Sequence, residues 1–279
     1  MKVAISGSSG FIGRYVSDYL TRKGHQVLGI KRAQLGNSDV LAEVIAGADV
    51  IINLAGANIA RRWSSRYKDK LVQSRVGSTK ALVRAMEAND EKQLLISTSA
   101  IGIYENDIFC DEEDYIYGHS FLQLLCHEWE NEAQKSTKRV AIFRLGVVLG
   151  DGGALQKMKI PFKMGLGGRI GNGKQSFSFV HIKDLARAYE HIMIDEKLEG
   201  VFNLTAPKVT SNGEFSKVLA HKLHRWAFVP MPKVLMRGVL GESAKILCDG
   251  QNVYPKRLLE SGFTFLYENA EETLEDLLG

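Results

Sequence analysis

The chain of 279 residues is poor in several things that would each point to a class of protein. It has three cysteines, Cys110, Cys126 and Cys248, odd in number, widely spaced and without a Cys-x-x-Cys pair. A disulfide framework and a zinc site are both disfavoured by that pattern, no metal is expected, and a reducing cytoplasm is the natural setting. No run of 18 apolar residues occurs, so no membrane span is expected, and the first residues read directly as a strand rather than as a signal peptide. Lysine and arginine never form a run of five, and the net charge is only +4. A basic nucleic-acid tail is therefore absent; the small excess fits an anionic small molecule equally well and by itself decides nothing. Only five prolines are present, and all lie beyond residue 160.

The chain does contain ordinary globular material, with 45% hydrophobic and 24% charged residues. Lys2–Ser6, Gln26–Ile30, Asp49–Leu54, Gln93–Thr98 and Arg139–Leu145 read as short strands rich in β-formers. Between them Phe11–Lys23, Asp39–Ala46, Ser64–Ala88 and Ser120–Ser136 carry apolar residues at helical spacing. Strands alternating with helices of this length predict βαβ units, a parallel sheet and helices on both faces. Only about eighteen residues separate Ile30 from Asp49, too few for a helix, a strand and a second helix, so one unit should be abbreviated. After residue 148 the pattern changes to glycine-rich loops at 151–153 and 165–173, helices at Lys183–Asp195 and Ser211–Leu223, and a strand at Val201–Leu204. Ser211 and Glu214 have capping-box spacing. The expected fold is α/β, a Rossmann-type doubly wound parallel sheet with a smaller C-terminal α/β substrate lobe. Residues 1–148, with contributions from about 176–205, would form the dinucleotide domain, and 149–279 mainly the lobe.

Gly7-Ser8-Ser9-Gly10-Phe11-Ile12-Gly13 falls between the first strand and the first helix. Gly7 permits a tight turn, Gly10 lets a pyrophosphate approach the backbone, and Gly13 lets helix and sheet pack closely. The helix N-terminus adds free N–H groups and the positive end of its dipole. Lys31-Arg32 follow the second strand, where an NAD site usually carries an acid for the ribose 2′-hydroxyl; two cations instead suit the 2′-phosphate of NADP, with NAD the poorer ligand. Leu54, Ala55 and Gly56 end a buried strand at the same sheet edge, where small residues let the adenosine ribose lie against backbone. Ser97-Thr98-Ser99-Ala100 ends the strand after the long helix and can deliver a hydroxyl to the crevice or form a local turn. Gly165–Gly173 reads as a mobile lid or a plain surface loop, and Arg169 and Lys174 could meet an anionic substrate. His181 and Asp184 stand at the mouth of a helix, where Asp184 suits capping and His181 either structure or chemistry.

At these residues the chain resembles the extended short-chain dehydrogenase/reductase superfamily, and within it the atypical subfamily labelled "epimerase family protein", which has a characteristic C-terminal segment of unknown function. The resemblance rests on GSSGFIG at 7–13, NLAGANI at 53–59, RRW at 61–63, RLGVVLGDGGAL at 144–155, PFKMGLGGRIGNGKQ at 161–175, VHIKDLA at 180–186 and GQNVYPKRLLESGF at 250–263. It implies NADP as ligand, Ser99 as the active-site hydroxyl, and cofactor contacts from Arg32, Arg75 and the backbone at Gly146-Val147. One departure stands out. The superfamily's Tyr-x-x-x-Lys pair has no counterpart, because Tyr117 is followed by Phe121, and Phe121 by Leu125, at the required spacing. The resemblance thus implies an NADP-dependent oxidoreductase or epimerase-like enzyme acting on a small molecule, with Tyr117 or Tyr104 as substitute acid. The missing pair speaks for a second reading, an NADP(H)-sensing module without turnover. An RNA-binding relative is disfavoured by the lack of a basic aromatic surface run.

Overall fold

The structure is a computed structural model that describes residues 1–226 and 229–279. In chain order the first half comprises β1 (Lys2–Ser6), α1 (Phe11–Arg22), β2 (Gln26–Ile30), α2 (Ser38–Ile45), β3 (Val50–Asn53), α3 (Ser65–Val72), α4 (Ser78–Glu87), β4 (Leu94–Ala100), β5 (Phe109–Cys110), α5 (Phe121–Ala133) and β6 (Arg139–Leu145). The second half comprises β7 (Val147–Leu149), α6 (Gly153–Lys163), β8 (Phe179–His181), α7 (Ile182–Ile194), β9 (Gly200–Leu204), α8 (Asn212–Lys222), α9 (Lys233–Leu240), α10 (Lys245–Cys248), β10 (Asn252–Val253), α11 (Lys256–Glu260) and α12 (Ala270–Leu278).

Six strands form one parallel sheet in the order β2-β1-β3-β4-β6-β9. Because successive side chains of a strand point to opposite faces, each strand feeds two cores. Val3, Ile5, Ile52, Ile96 and Phe143 pack against α1 and α7, where Val16, Leu20, Tyr189 and Ile192 are buried. Ala4, Ile51, Leu95 and Ile142 pack on the opposite face against Leu41, Ile45, Leu82 and Met86. Helices on both faces of a parallel sheet make this a Rossmann-type fold. The chain steps outward from β1 to β2, then returns to the other side of β1 for β3. Their carboxyl ends therefore flank a topological switch point, the place where such folds bind ligands.

The short spacing after β2 has the predicted effect: α2 spans eight residues and β2 is the sheet edge. Its N-cap Asn37 accepts from the N–H groups of Asp39 and Val40. One expectation needs revision. The stretch 64–88 is not one continuous helix: α3 and α4 are separated by a wider π-turn at Gln73–Gly77. Such single-turn bulges re-aim side chains, and this one carries Arg75.

A third core, built from Leu149, Leu155, Phe162, Phe179, Phe215 and Leu274, joins α6, α8 and α12 to the two-stranded sheet β7-β8. The capping box of α8 is formed as its spacing requires, with Ser211 N–H donating to Glu214 Oε2 (2.8 Å) and Glu214 N–H to Ser211 Oγ (3.2 Å). The loop 165–173 is tied down along its second half: Ile170 bridges Met231 and donates its N–H to Asn212 Oδ1 at 2.8 Å, Arg169 O accepts from Met231 N–H (2.8 Å), and Gly173 O accepts from Gly213 N–H (2.8 Å). Asp184 is fully buried, accepts from the N–H groups of Leu266 and Tyr267, and pairs with Arg187 (2.7 Å), which clamps the C-terminal segment to α7. No helix of the described residues is long and apolar enough to cross a membrane.

Candidate functional site

A cleft of about 860 Å³ opens between the carboxyl edge of the sheet and the third core. That volume lies in the range of small-molecule and cofactor sites, ~300–1,000 Å³. One wall is the turn from β1 to α1. Gly7 holds φ +72°, a left-handed conformation that L side chains rarely adopt, and a Cβ there would meet the Leu54 carbonyl at 2.6 Å. A Cβ on Gly13 would fall 2.2 Å from Gly7 O, so the first turn of α1 could not seat against the loop. Gly10, the N-cap of α1, makes no side-chain cap, and the first-turn N–H groups stand beside the cleft. These are the conditions under which a helix N-terminus receives a phosphate.

Leu54, Ala55 and Gly56 carry this wall past the end of β3. Arg75 closes it. Its guanidinium lies against Gly56, stacks over the Trp129 ring at 5.4 Å, and donates through Nη2 to Ala57 O at 3.1 Å. Its Nη1 is buried without a partner, and burial holds the guanidinium below its ordinary pKa. An unpaired buried donor on a cation beside a phosphate-type turn has the chemistry of an anion site. A buried hydrogen-bond chain underlies this corner. Ser6 donates to Asn53 (2.6 Å), and Asn53 Nδ2 and Trp129 Nε1 both donate to Thr79 Oγ1 (2.8 Å each). Four elements are thereby locked under the floor of the cleft.

The sequence-predicted residues divide into three groups. Gly7, Gly10, Phe11, Ile12 and Gly13, then Leu54, Ala55, Gly56 and Arg75, all line the cleft. The Phe11 ring also packs on Gly152 and Gly153 and so braces the turn against α6. A second group stands at its margin. Ser9 is exposed and accepts from Arg14 through its carbonyl (2.9 Å). Lys31 and Arg32 are exposed at the end of β2, with no ion pair to any described residue. Gly146 and Val147 sit at the junction of β6 and β7, one residue before Val148, which does line the cleft. Arg169 and Lys174 are exposed and outside the lining, although Leu166 and Ile170 of the same loop belong to it.

The third group lies away from the lining. His181 is the N-cap of α7: Nδ1 accepts from Lys183 N–H (3.0 Å), Nε2 faces Asp276 at 3.2 Å, and the ring stacks on Tyr267. Ser99, Tyr104 and Tyr117 converge on one buried ion pair. Ser99 donates to Glu130 Oε1 (2.6 Å), Arg144 binds the same carboxylate through Nε (2.8 Å) and Nη2 (2.6 Å), and its Nη1 and Nη2 donate to the hydroxyls of Tyr104 and Tyr117 (2.7 Å each). The Tyr104 hydroxyl donates in turn to Asn203 Oδ1 at 2.8 Å. Burial pushes the Tyr117 phenol up to about 12 and raises that of Tyr104 as well. Burial works against the charge of Arg144, and Glu130 more than offsets it.

The lining also takes in Trp129, Asn58 and Lys157, which the sequence did not single out, and Thr98, which it placed only within the hydroxyl-bearing stretch 97–100. Thr98 had a signal. Leu94 and Ile96 face the α1 and α7 side, so strand alternation carries Thr98 to that side and Ser99 to the side of α5. Thr98 shares a hydrogen bond with the buried Tyr189 hydroxyl at 2.9 Å. Lys157 lies on α6, and nothing in the local pattern singles it out. Among the described lining residues Arg75 and Lys157 are the ionisable side chains; none is an acid, a histidine, a tyrosine or a cysteine. Among the described residues no group of histidines, cysteines and carboxylates could hold a metal.

Residues 3–204 match the NAD dependent epimerase/dehydratase family. The chain belongs to that family. Residues 231–277 of this epimerase/dehydratase homologue match a second family, described only as a domain of unknown function. The chain is similar to the epimerase family protein YfhF of Bacillus subtilis (strain 168), 33% identical over 100% of this chain and 98% of the relative. It is similar in structure to the human epimerase family protein SDR39U1, crystallised with NADPH, at a TM-score of 0.92 and 31% identity over 100% of this chain and 99% of the other. A nucleoside-diphosphate sugar epimerase from Corynebacterium glutamicum gives a TM-score of 0.80 and 30% identity, covering 100% of this chain and 58% of that one.

Proposed function

We propose that this chain binds NADP(H) across the β1–α1 turn and acts as an NADP-dependent oxidoreductase or epimerase-like enzyme on a small molecule held against the third core. The observation that carries this reading is the buried, unpartnered Nη1 of Arg75 beside the uncapped N-terminus of α1. The glycine turn admits a pyrophosphate where any Cβ at Gly7 or Gly13 would strike backbone. Lys31 and Arg32, unpaired at the end of β2, are the cations proposed for the 2′-phosphate, and SDR39U1, similar over the full chain, is a protein crystallised with NADPH. When bound, the nicotinamide supplies or accepts a hydride. The chain's own part is to hold the substrate and to move a proton at its oxygen. Lys157 is the proposed donor, and the Thr98 hydroxyl the proposed hydrogen-bond partner. Ser99, Tyr104 and Tyr117 are assigned to holding Glu130 and Arg144 in place.

A second reading, binding without turnover, is favoured by one observation: the hydroxyls of Ser99, Tyr104 and Tyr117 are already committed to the Glu130–Arg144 pair. The two readings separate on a single comparison. Lys157→Met should lower any NADPH-linked turnover by about 10²-fold, within the usual range for general acid–base assistance, while leaving NADPH affinity unchanged. NADPH binding with no turnover in the wild type on any carbonyl substrate supports the second reading, and failure of NADPH to bind sinks both.

A further inference from the structure

The half of the cleft away from the glycine turn has a lining unlike that of a carbohydrate site. Met158, Phe162, Leu166, Phe215, Met231 and Met236 form it, drawn from α6, the 165–173 loop, α8 and the segment leading through α9. Polar side chains are few. They are Lys157, Ser216, Asn58 and Asn212, and the side-chain oxygens of the two asparagines are already engaged by Ala60 N–H and Ile170 N–H. The apolar lining reaches solvent at Leu166, which is 51% exposed. Exposed apolar side chains that continue an apolar cleft suit a ligand-binding groove. Methionines, flexible and polarisable, adapt to apolar ligands of varied outline.

Resting on the NADP(H) reading above, we infer that the substrate is a hydrocarbon-rich molecule with a single polar end, such as an apolar ketone or alcohol, and not a sugar nucleotide. A sugar nucleotide brings two phosphates and a ring of hydroxyls. With Arg75 placed at the cofactor turn, Lys157 is the one cation that the substrate half offers among its described lining residues. Hydroxyls pressed against Met and Phe side chains lose their water without replacement, which opposes binding. An alkyl chain loses nothing polar there and gains from every methylene buried. Its carbonyl or hydroxyl would lie toward Lys157 and Thr98, where the cofactor half begins. The C. glutamicum protein carries a sugar-epimerase description at 30% identity, so the choice is a real one for this chain.

The test is calorimetric titration of straight-chain 2-ketones of six to twelve carbons, and of UDP-glucose, into the full chain with and without NADPH. NADPH binding is measured first, from the fluorescence of the bound dihydronicotinamide. Affinity for the ketones should rise about three- to fourfold per added methylene until the wall is filled, and UDP-glucose should give no saturable heat. Leu166→Asp, at a half-exposed position that the fold can tolerate, should weaken the longer ketones at least about tenfold and leave NADPH affinity as it is. Ketone affinity independent of chain length, no ketone binding at all, or saturable binding of UDP-glucose overturns the inference. If NADPH fails to bind while the chain-length series holds, the cofactor reading has failed and the apolar site stands.

Discussion

Ser99 and Arg144 share one acceptor: Oε1 of Glu130 takes the Ser99 hydroxyl at 2.6 Å and the Arg144 Nε at 2.8 Å, in a place where both charged side chains are almost fully buried. A buried ion pair is costly to break from one side, because the remaining charge stays desolvated. Glu130→Gln should therefore lower unfolding free energy by about 3–5 kcal/mol. Urea denaturation followed by circular dichroism measures it. A loss under 1 kcal/mol would mean that water or another carboxylate reaches Arg144.

Ser99→Ala removes a hydrogen bond to a charged acceptor, typically about 1.5–3 kcal/mol, and should register in stability more than in NADPH affinity. Thr98→Val keeps the shape of the cleft-facing side chain and removes its hydroxyl. Any turnover should fall more in Thr98→Val than in Ser99→Ala, since Thr98 lines the cleft and Ser99 does not. Steady-state kinetics of the two variants side by side decide it; the reverse order returns the reaction to Ser99.

Much of this architecture was legible in the residues. β1, β2 and β6 carry the boundaries that their apolar runs indicate, and the missing space after Ile30 is reflected in the short α2. The glycine turn was legible because each glycine has a separate steric reason. Less legible were features that depend on distant parts of the chain. The π-turn that aims Arg75 interrupts an amphipathic stretch without a sequence marker, and Lys157 reaches the cleft through the placement of α6 on the third core. The loop at 165–173 owes its anchorage to Asn212 and Met231, more than forty residues on. The buried pair of Glu130 and Arg144 is a tertiary event between α5 and β6, which no local pattern announces.

Removing the buried cation beside the glycine turn separates function from stability. Arg75→Met takes away a buried charge that lacks a full set of partners. NADPH affinity should drop about tenfold or more, the value of one charged hydrogen bond, while the melting temperature without ligand should hold or rise. Thermal denaturation and fluorescence titration report the two effects separately. A lower melting temperature with normal NADPH affinity would make Arg75 structural.

A pH effect follows from His181. Burial holds its pKa below the ordinary 6.5, opposed by Asp276 and Asp184, so the folded chain keeps it neutral where the unfolded chain binds a proton. Stability from this group is complete above pH 6.5 and is lost as pH falls from there through the folded pKa. The carboxylates held below their ordinary range, such as Glu87 and Glu214, act only below about 4.5. Unfolding free energy should therefore decline as pH falls below 6.5, opposed nearer the carboxylate range by Glu112, whose carboxyl burial pushes up, and His181→Gln should flatten the decline. An unchanged slope in the variant would assign the titration to another group.

Gly10 offers the cleanest probe of the phosphate turn. A Cβ there would stand 3.2 Å from Gly7 O, tight but relieved by a small shift, and valine adds two further methyls at a residue that lines the cleft. Gly10→Val should abolish NADPH binding and preserve the far-ultraviolet circular dichroism spectrum. Normal binding with an unchanged spectrum would leave the turn a purely structural feature.

Calorimetric titration of NADPH and of NADH into the wild-type chain and Arg32→Ala bears most directly on whether this cleft is an NADP(H) site. One charged hydrogen bond to the 2′-phosphate corresponds to roughly ten- to a hundredfold in affinity. NADPH should bind the wild type by about that factor more tightly than NADH, and Arg32→Ala should erase most of the difference by weakening NADPH alone. Equal affinities for the two dinucleotides in the wild type, or no heat from either, would contradict it.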